Sequence, residues 1–409
     1  MVKNNQTKFK ETEIGPIPEE WDVVELGQSV EIIDGDRGTN YPNGSDFSDC
    51  GYCLFLNTKN VSGDSFDFAE CEFITKETDL ILRKGKMQRD DFVLTTRGTV
   101  GNIAHYDSKV KFDNLRINSG MVILRNINFD NHFLFQFLKS KIARNQFLEL
   151  ASGSAQPQLP IRDLKSLKLI QPSVKEQKNI AEILSSLDDK IESNRRMNAT
   201  LEKIASAIFK RWFVDFEFPN EEGKPYKSSG GKMVDSEMGE IPEGWEISNL
   251  GRVLTFNYGK ALKGENRISG NVKVYGSSGF VGFHNEKMAS GPGIVIGRKG
   301  NVGSVYWVDS DFYPIDTTYF VESKLPLSFC YYLLKNQDFI NGDSVVPGLN
   351  REQAYLNKII FPDIKDIEIF SKFIFELRST ISFFEKQNNN LSQIRDSLLP
   401  RLMSGKIRT

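Results

Sequence analysis

The sequence predicts an α+β fold. It comprises two mixed α/β domains separated by two long antiparallel helices forming a coiled coil, with a pseudo-two-fold internal repeat. Three observations predict it: blocks of the first half return in the second, each copy has a glycine-punctuated mixed middle, and each ends on an unbroken heptad pattern. IGPIPEEWDVVELG from Ile14 returns as MGEIPEGWEISNLG from Met238, and PQLPIRDLKSLKLIQP from Pro157 returns as PGLNREQAYLNKIIFP from Pro347. The offset is 224 residues at the first pair and 190 at the second, so the second copy is 34 residues shorter between its anchors. Units this unequal cannot stack at the fixed period a solenoid requires. They are whole domains with constant ends and free middles.

Residues 1–12, MVKNNQTKFKET, lack the apolar core of a signal peptide and read as a polar tail. Residues 13–172 form the first mixed domain. Within it DFVLTTRGTVGNIAHYD from Asp91 is apolar, then Gly-containing and polar, then apolar again, which predicts strand, turn and strand. GIVIGRKGNVGSVYWVD from Gly293 repeats that pattern, and VYGSSGFVGFHN from Val274 adds another glycine-rich turn, with His284 placed in a turn. Ser173 and Glu176 have the spacing of a capping box. They open a helix over 173–214 whose seam runs Ile180, Leu184, Leu187, Ile191, Asn194, Asn198, Leu201, Ala205 and Ile208. Residues 215–236 read as a charged, Gly/Ser-rich linker, and 237–362 as the second mixed domain. Asp363 is placed as N-cap of the closing segment, 363–409, which carries the second helix and a short tail. Its seam is Phe370, Ile374, Leu377, Ile381, Phe384, Asn388, Leu391, Arg395 and Leu398, so the two helices are expected to pack together, with Asn198 and Asn388 fixing register. The alternative is two separate core helices. Antiparallel packing follows from economy: a helix of 38 residues spans about 57 Å, and a parallel pair would force the linker back along that length.

The chain has 409 residues, 39% of them hydrophobic, and no apolar run nears the ~20 residues of a membrane span. Four cysteines in this length argue against a disulfide framework and for a reducing cytoplasm. Net charge is only -2, but its distribution is uneven. Ile81 to Arg116 holds eight Lys/Arg against four Asp/Glu, and Tyr258 to Gly303 holds seven against two. Matching basic stretches in the two middles suit nucleic-acid contact.

Catalytic motifs are missing. No Pro-Pro pair occurs, which removes the Asn/Asp-Pro-Pro-aromatic motif of amino-group DNA methyltransferases, and no Gly-Lys pair is followed by Ser or Thr, which removes a P-loop. Cys50, Cys53 and Cys71 lack a well-spaced fourth ligand for zinc, so no metal site is assigned, and the three histidines read as isolated and structural. The positive signals are binding signals. Thr95, Thr96, Arg97, Thr99 and Asn102 gather donors on one loop, and Arg298, Lys299 and Asn301 do so in the other copy. Arg can fork onto guanine, Asn can pair with adenine, and hydroxyls or amides can hold phosphates. Second-rank candidates are Ser154 and Gln156 in SGSAQPQ, Asn257, Tyr258 and Lys260 in FNYGKALKGENR, and Ser277 and Ser278 in the glycine-rich turn.

The paired IPEEW and IPEGW blocks, TTRGTVG, YGSSGFVGFHN, IGRKGNVG with YWVD and FYPIDTTYF, the long helices and RWFVDFEFP together resemble the specificity subunit of type I restriction-modification systems. The resemblance runs from about Glu13 to Ile407 in matching order. It implies two target recognition domains, at 13–172 and 237–362, on an antiparallel helical spacer. It further implies a non-catalytic subunit reading an asymmetric bipartite site in double-stranded DNA. Two methyltransferase subunits, and restriction/translocase subunits in the full complex, would perform adenine methylation or cleavage. S-adenosylmethionine is then expected in the methyltransferase partner and no cofactor on this chain. A coiled-coil scaffold without DNA contact is the competing reading.

Overall fold

In the computed structural model, which describes residues 8–153, 157–339 and 348–409, the chain divides into two compact units. The first is Met1–Glu192 with Asn388–Thr409, and the second is Ser193–Gln387. These limits differ from the boundaries expected at 172 and 362. Each unit takes in part of both long helices, because a mixed domain buries its outer face against whichever helical turns lie on it.

The first unit is built on a four-stranded antiparallel sheet ordered Ile103–His105, Phe92–Thr95, Met121–Asn126, Val30–Asp34. A strand's side chains alternate between faces, and here both faces are covered. Phe92, Leu94, Val122 and Leu124 pack on Phe133, Leu134, Phe137 and Phe147 of the helices Asn131–Lys139 and Lys141–Leu150. Val93 and Ile123 pack instead on Leu54, Leu115 and Ile117 of a second sheet, ordered Leu115–Ile117, Cys53–Leu56, Phe73–Ile74, whose first pair is parallel. Double burial explains why FVLT and MVIL read as continuous apolar runs.

The second unit repeats the order: Thr255–Tyr258, Thr318–Glu322, Gly293–Gly297, Val305–Val308, beside a sheet ordered Gly279–His284, Val272–Gly276, Phe312–Pro314. Ile294 and Ile296 face Phe329 and Leu333 of helix Leu327–Lys335, while Val295 faces Tyr275 and Phe312. The anchor blocks recur because they do the same work twice. The Trp21 indole donates to the Glu176 carboxylate at 3.1 Å, and the Trp245 indole donates to Asp366 at 3.1 Å. Gly27 and Gly251 are needed for close approach: a Cβ there would lie 2.9 Å from Cβ of Lys165 and 2.7 Å from Cβ of Tyr355. Part of the extra length of the first copy is the hairpin Val61–Phe66 and the helix Lys76–Ile81.

The long helices are Val174–Phe213 and Ile364–Met403, 40 residues each and thus about 60 Å. Every residue of both heptad seams is buried or half-buried. Within the second unit their contacts run in opposite directions. Asn194 Nδ2 donates to Gln387 Oε1 at 2.7 Å, Asn198 Nδ2 to the Ile381 carbonyl at 3.3 Å, and Arg378 Nη1 to Glu202 at 2.9 Å. In the first unit Arg395 donates to Asp188 at 2.8 Å.

Several local expectations need correction. The capping box is half made: Ser173 Oγ accepts from the Glu176 amide, but the Glu176 carboxylate takes the Ser173 hydroxyl, the Trp21 indole and Arg408. Segment 215–236 is not a bare linker, since Phe216 and Phe218 are buried against Trp245 and Met233–Ser236 pairs with Gly239–Pro242. The same pairing occurs in the first unit, where Phe9–Lys10, inside what reads as a tail, pairs with Ile17–Pro18. His284 is not in a turn: it ends a strand, is buried, and accepts the Ile268 amide. His105 and His132 are neighbours, with rings 5.8 Å apart. Asp363 accepts the Lys365 amide at 2.8 Å as the helix begins.

Candidate nucleic-acid interface

A hairpin between two covered strands must send its turn out of the core, and both copies do so. In the first unit Phe92–Thr95 turns back at 96–102 into Ile103–His105, leaving Arg97, Gly98 and Thr99 exposed. Thr95 and Thr96 are withdrawn from the expected set of contacts. Both are buried, with their hydroxyls donating to the carbonyls of Thr99 and Gly120 respectively, so they shape the turn from inside. Asn102 is likewise spent, donating through Nδ2 to the Val61 carbonyl at 3.0 Å. The Leu159 amide donates to the Thr96 carbonyl, and Arg97 bridges Gln158, which brings the segment from Ser152 against the turn. Ser154 and Gln156 lie outside the described residues.

In the second unit Gly293–Gly297 and Val305–Val308 enclose the counterpart turn. Lys299, Gly300 and Asn301 are exposed. Arg298 is half-buried, and its Nε and Nη2 donate to the Asp316 carbonyl at 3.2 and 3.0 Å. Its guanidinium sits 5.3 Å from the Tyr258 ring centre and 5.8 Å from that of Tyr319. Tyr258 is 49% exposed. Burial, then the Tyr258 hydroxyl, push Tyr319 up to about 12, so it stays a neutral donor that reaches the Leu349 carbonyl. Lys260 and Ser278 are exposed, and Ser277 is half-buried, its carbonyl taking the hydroxyls of Ser304 and Tyr306. A Cβ on Gly300 would lie 3.1 Å from Ser277 Oγ, so the glycine-rich turn adjoins the Lys299 turn. Asn257 does not join them: it is half-buried, and its Nδ2 is shielded from solvent without a partner among the described residues.

Arg351 went unnoticed in the sequence because it sits in the repeated block PGLNREQAYLNKIIFP, which reads as framework. Its guanidinium lies 5.2 Å from the Tyr258 ring centre, so Tyr258 has two guanidinium neighbours, one from the Arg298 turn and one from the start of helix Arg351–Tyr355. Exposed aromatic rings with clustered arginines suit nucleic-acid contact. The basic count of the first copy overstated its surface. Arg116 is buried on Asp79, Lys86 also binds Asp79, and Arg89 donates to the carbonyls of Asp107, Val110 and Phe112.

The twice-built chain has known relatives. The model of the type I restriction modification DNA specificity domain matches residues 18–203 and again 242–393. The chain belongs to that family. Among its relatives, the MjaIX type I restriction enzyme specificity subunit of Methanocaldococcus jannaschii is 27% identical, with 98% of this chain and 97% of that one aligned. The HindI specificity subunit of Haemophilus influenzae is 26% identical over 91% of this chain and 98% of its own. The fold of this specificity-family chain is similar to the crystal structure of a type I restriction-modification S subunit from M. genitalium. The TM-score is 0.54 at 18% identity, with 98% of each chain covered. No helix among the described residues is long and apolar enough to cross a membrane.

Proposed function

We propose that this specificity-family chain reads an asymmetric, bipartite site in double-stranded DNA and catalyses nothing itself. Each mixed domain acts as a target recognition domain and reads its own short half-site. The observation that carries this is the same exposed hairpin turn in both units, carrying Arg97 and Thr99 in one and Lys299 and Asn301 in the other. A shared frame with different reading residues is what two unlike half-sites require. Tyr258, Lys260, Ser278 and Arg298 extend the second surface. The heptad seams support a coiled coil as spacer between the two domains. Two methyltransferase subunits carry S-adenosylmethionine and the adenine chemistry, with restriction/translocase subunits in the full cytoplasmic complex. This chain positions them and holds no cofactor.

Replacing Arg298 and Lys299 together by Ala tests the reading surface. Loss of Arg298 frees the Asp316 carbonyl and leaves the Tyr258 ring with Arg351 alone, while loss of Lys299 removes an exposed charge. Recognition of one half-site is expected to relax by about 1–3 kcal/mol, with the salt dependence of binding shallower by about one phosphate contact. The methylated motif of the double variant decides it. Unchanged affinity and an unchanged motif remove this turn from the interface.

A further inference from the structure

Each unit has a cavity where its edge strand meets a long helix, and the two cavities are copies of one another. In the second it is lined by Trp307, Phe375, Arg378, Ser379 and Ser382. In the first it is lined by His105, Ser185, Asp188, Asp189 and Glu192, the last four lying 190 residues before Phe375, Arg378, Ser379 and Ser382. The copies have diverged in chemistry.

The second-unit cavity holds about 750 Å³. Its apolar lining includes Phe375 and Phe383, 65% and 59% exposed, together with Trp307 and Leu327, and Lys372 and Lys386 also line it. Arg378 is only 8% exposed, stacks on Trp307 at 4.6 Å, and has Nη1 on Glu202 at 2.9 Å. Its Nε and the Ser371 hydroxyl are buried without a hydrogen-bond partner among the described residues. The single carboxylate lining the cavity, Asp309, already accepts the Trp307 indole at 2.8 Å. Buried donors without acceptors are costly, and large exposed aromatics around a cavity mark an interaction site. What fits is an apolar segment that brings a carboxylate.

The first-unit cavity, about 430 Å³, has the opposite sign. Asp64, Asp107, Asp188, Asp189 and Glu192 line it. Asp188 accepts from Lys139, Gln136 and Arg395, and Lys109 pairs with Asp189 at 2.5 Å. Two buried groups there have no hydrogen-bond partner among the described residues: Oε1 of Gln136, a residue 2% exposed, and Nε2 of His105, which lies 3.5 Å from Asp90. A carboxylate entering this copy meets like charge, and no buried guanidinium faces it.

We infer that the second-unit cavity docks an apolar, carboxylate-bearing segment of a methyltransferase subunit and that its first-unit copy rejects that segment. The inference rests on the proposed function. It makes the two methyltransferase copies unequal, one gripped by aromatic burial and Arg378, the other held without this contact. DNA is the poorer occupant, since phosphate has no use for Phe375 and Phe383.

The test uses the full chain assembled with its methyltransferase subunit. A photo-crosslinking benzoylphenylalanine at position 375 is expected to capture a methyltransferase segment rich in apolar and acidic residues. The same probe at position 185 is expected not to capture that segment. F375S/F383S, at exposed positions, and K372E/K386E are each expected to weaken retention of one methyltransferase copy by about tenfold or more, leaving thermal unfolding unchanged. Native mass spectrometry against dilution reads the loss. Capture of one segment from both positions, capture of DNA alone from 375, or undiminished retention by both variants overturns the inference. Absence of any complex with the wild-type chain contradicts the functional reading as well.

Discussion

Four residues inserted after Asn198 and four after Ile381, which faces it, should lengthen the gap between the two half-sites and leave their sequences unchanged. The insertion adds about 6 Å to each helix and returns the seam nearly to phase, because 3.6 residues make a turn. A base-pair step is about 3.4 Å, so the gap should grow by one or two base pairs. Two residues at the same places should behave differently. They rotate the downstream seam by about 200°, turning Ala205, now buried, and Phe384 and Leu391, now half-buried, toward water. Polar positions such as Lys203 and Asn389, both now exposed, would take the places of Ala205 and Leu391. That variant should fail to fold or assemble and methylate nothing. An original spacing retained by the four-residue variant means the helices do not set the separation of the recognition domains.

Asp79→Ala should cost the first unit about 3–5 kcal/mol, the range for breaking a buried ion pair from one side. Asp79 Oδ1 accepts Arg116 Nε at 2.6 Å and Oδ2 accepts Lys86 Nζ at 2.5 Å, with Asp79 and Arg116 both buried. Arg116 also donates to the carbonyls of Asp79, Leu82 and Lys84, which fastens helix Lys76–Ile81 to strand Leu115–Ile117. Removing the carboxylate strands a guanidinium in the core. Adding Arg116→Met should recover part of the loss, because an apolar replacement of the whole pair leaves no charge behind. The pH dependence has a fixed sign. Burial pushes the Asp79 carboxyl up, but Lys86 and Arg116 outweigh it and hold it below its ordinary value. Its contribution is therefore present above the unfolded value of about 3.9 and lost as pH falls through the lower folded value. Denaturant unfolding of wild type and variant at neutral and acid pH should show the difference between them shrinking on acidification.

The parts of this fold legible in the sequence were those with a strict period or a special backbone need. The seams from Ile180 and Phe370 could be read because heptad spacing survives any partner. The turns at Arg97 and Arg298 could be read because glycine marks the reversal between apolar runs. What stayed hidden depends on pairing across the chain. Thr95 and Thr96 look like presented hydroxyls until the sheet covers both sides of their strand. Arg116 counts as surface charge until Asp79 meets it from 37 residues away. Phe216 and Phe218 vanish into a charged, glycine-rich run, although Trp245 holds both. Arg351 reaches Tyr258 only through the folded unit, so no local signal could separate it from the framework around it.

The most direct measurement is a methylation map of the host genome with and without this gene. The account predicts that one adenine-methylated motif disappears with the gene. That motif should be asymmetric, with two short specified halves about one helical turn apart, ~10 base pairs centre to centre, and unspecified bases between. A continuous or palindromic motif, or a methylation pattern unchanged by loss of the gene, would contradict it.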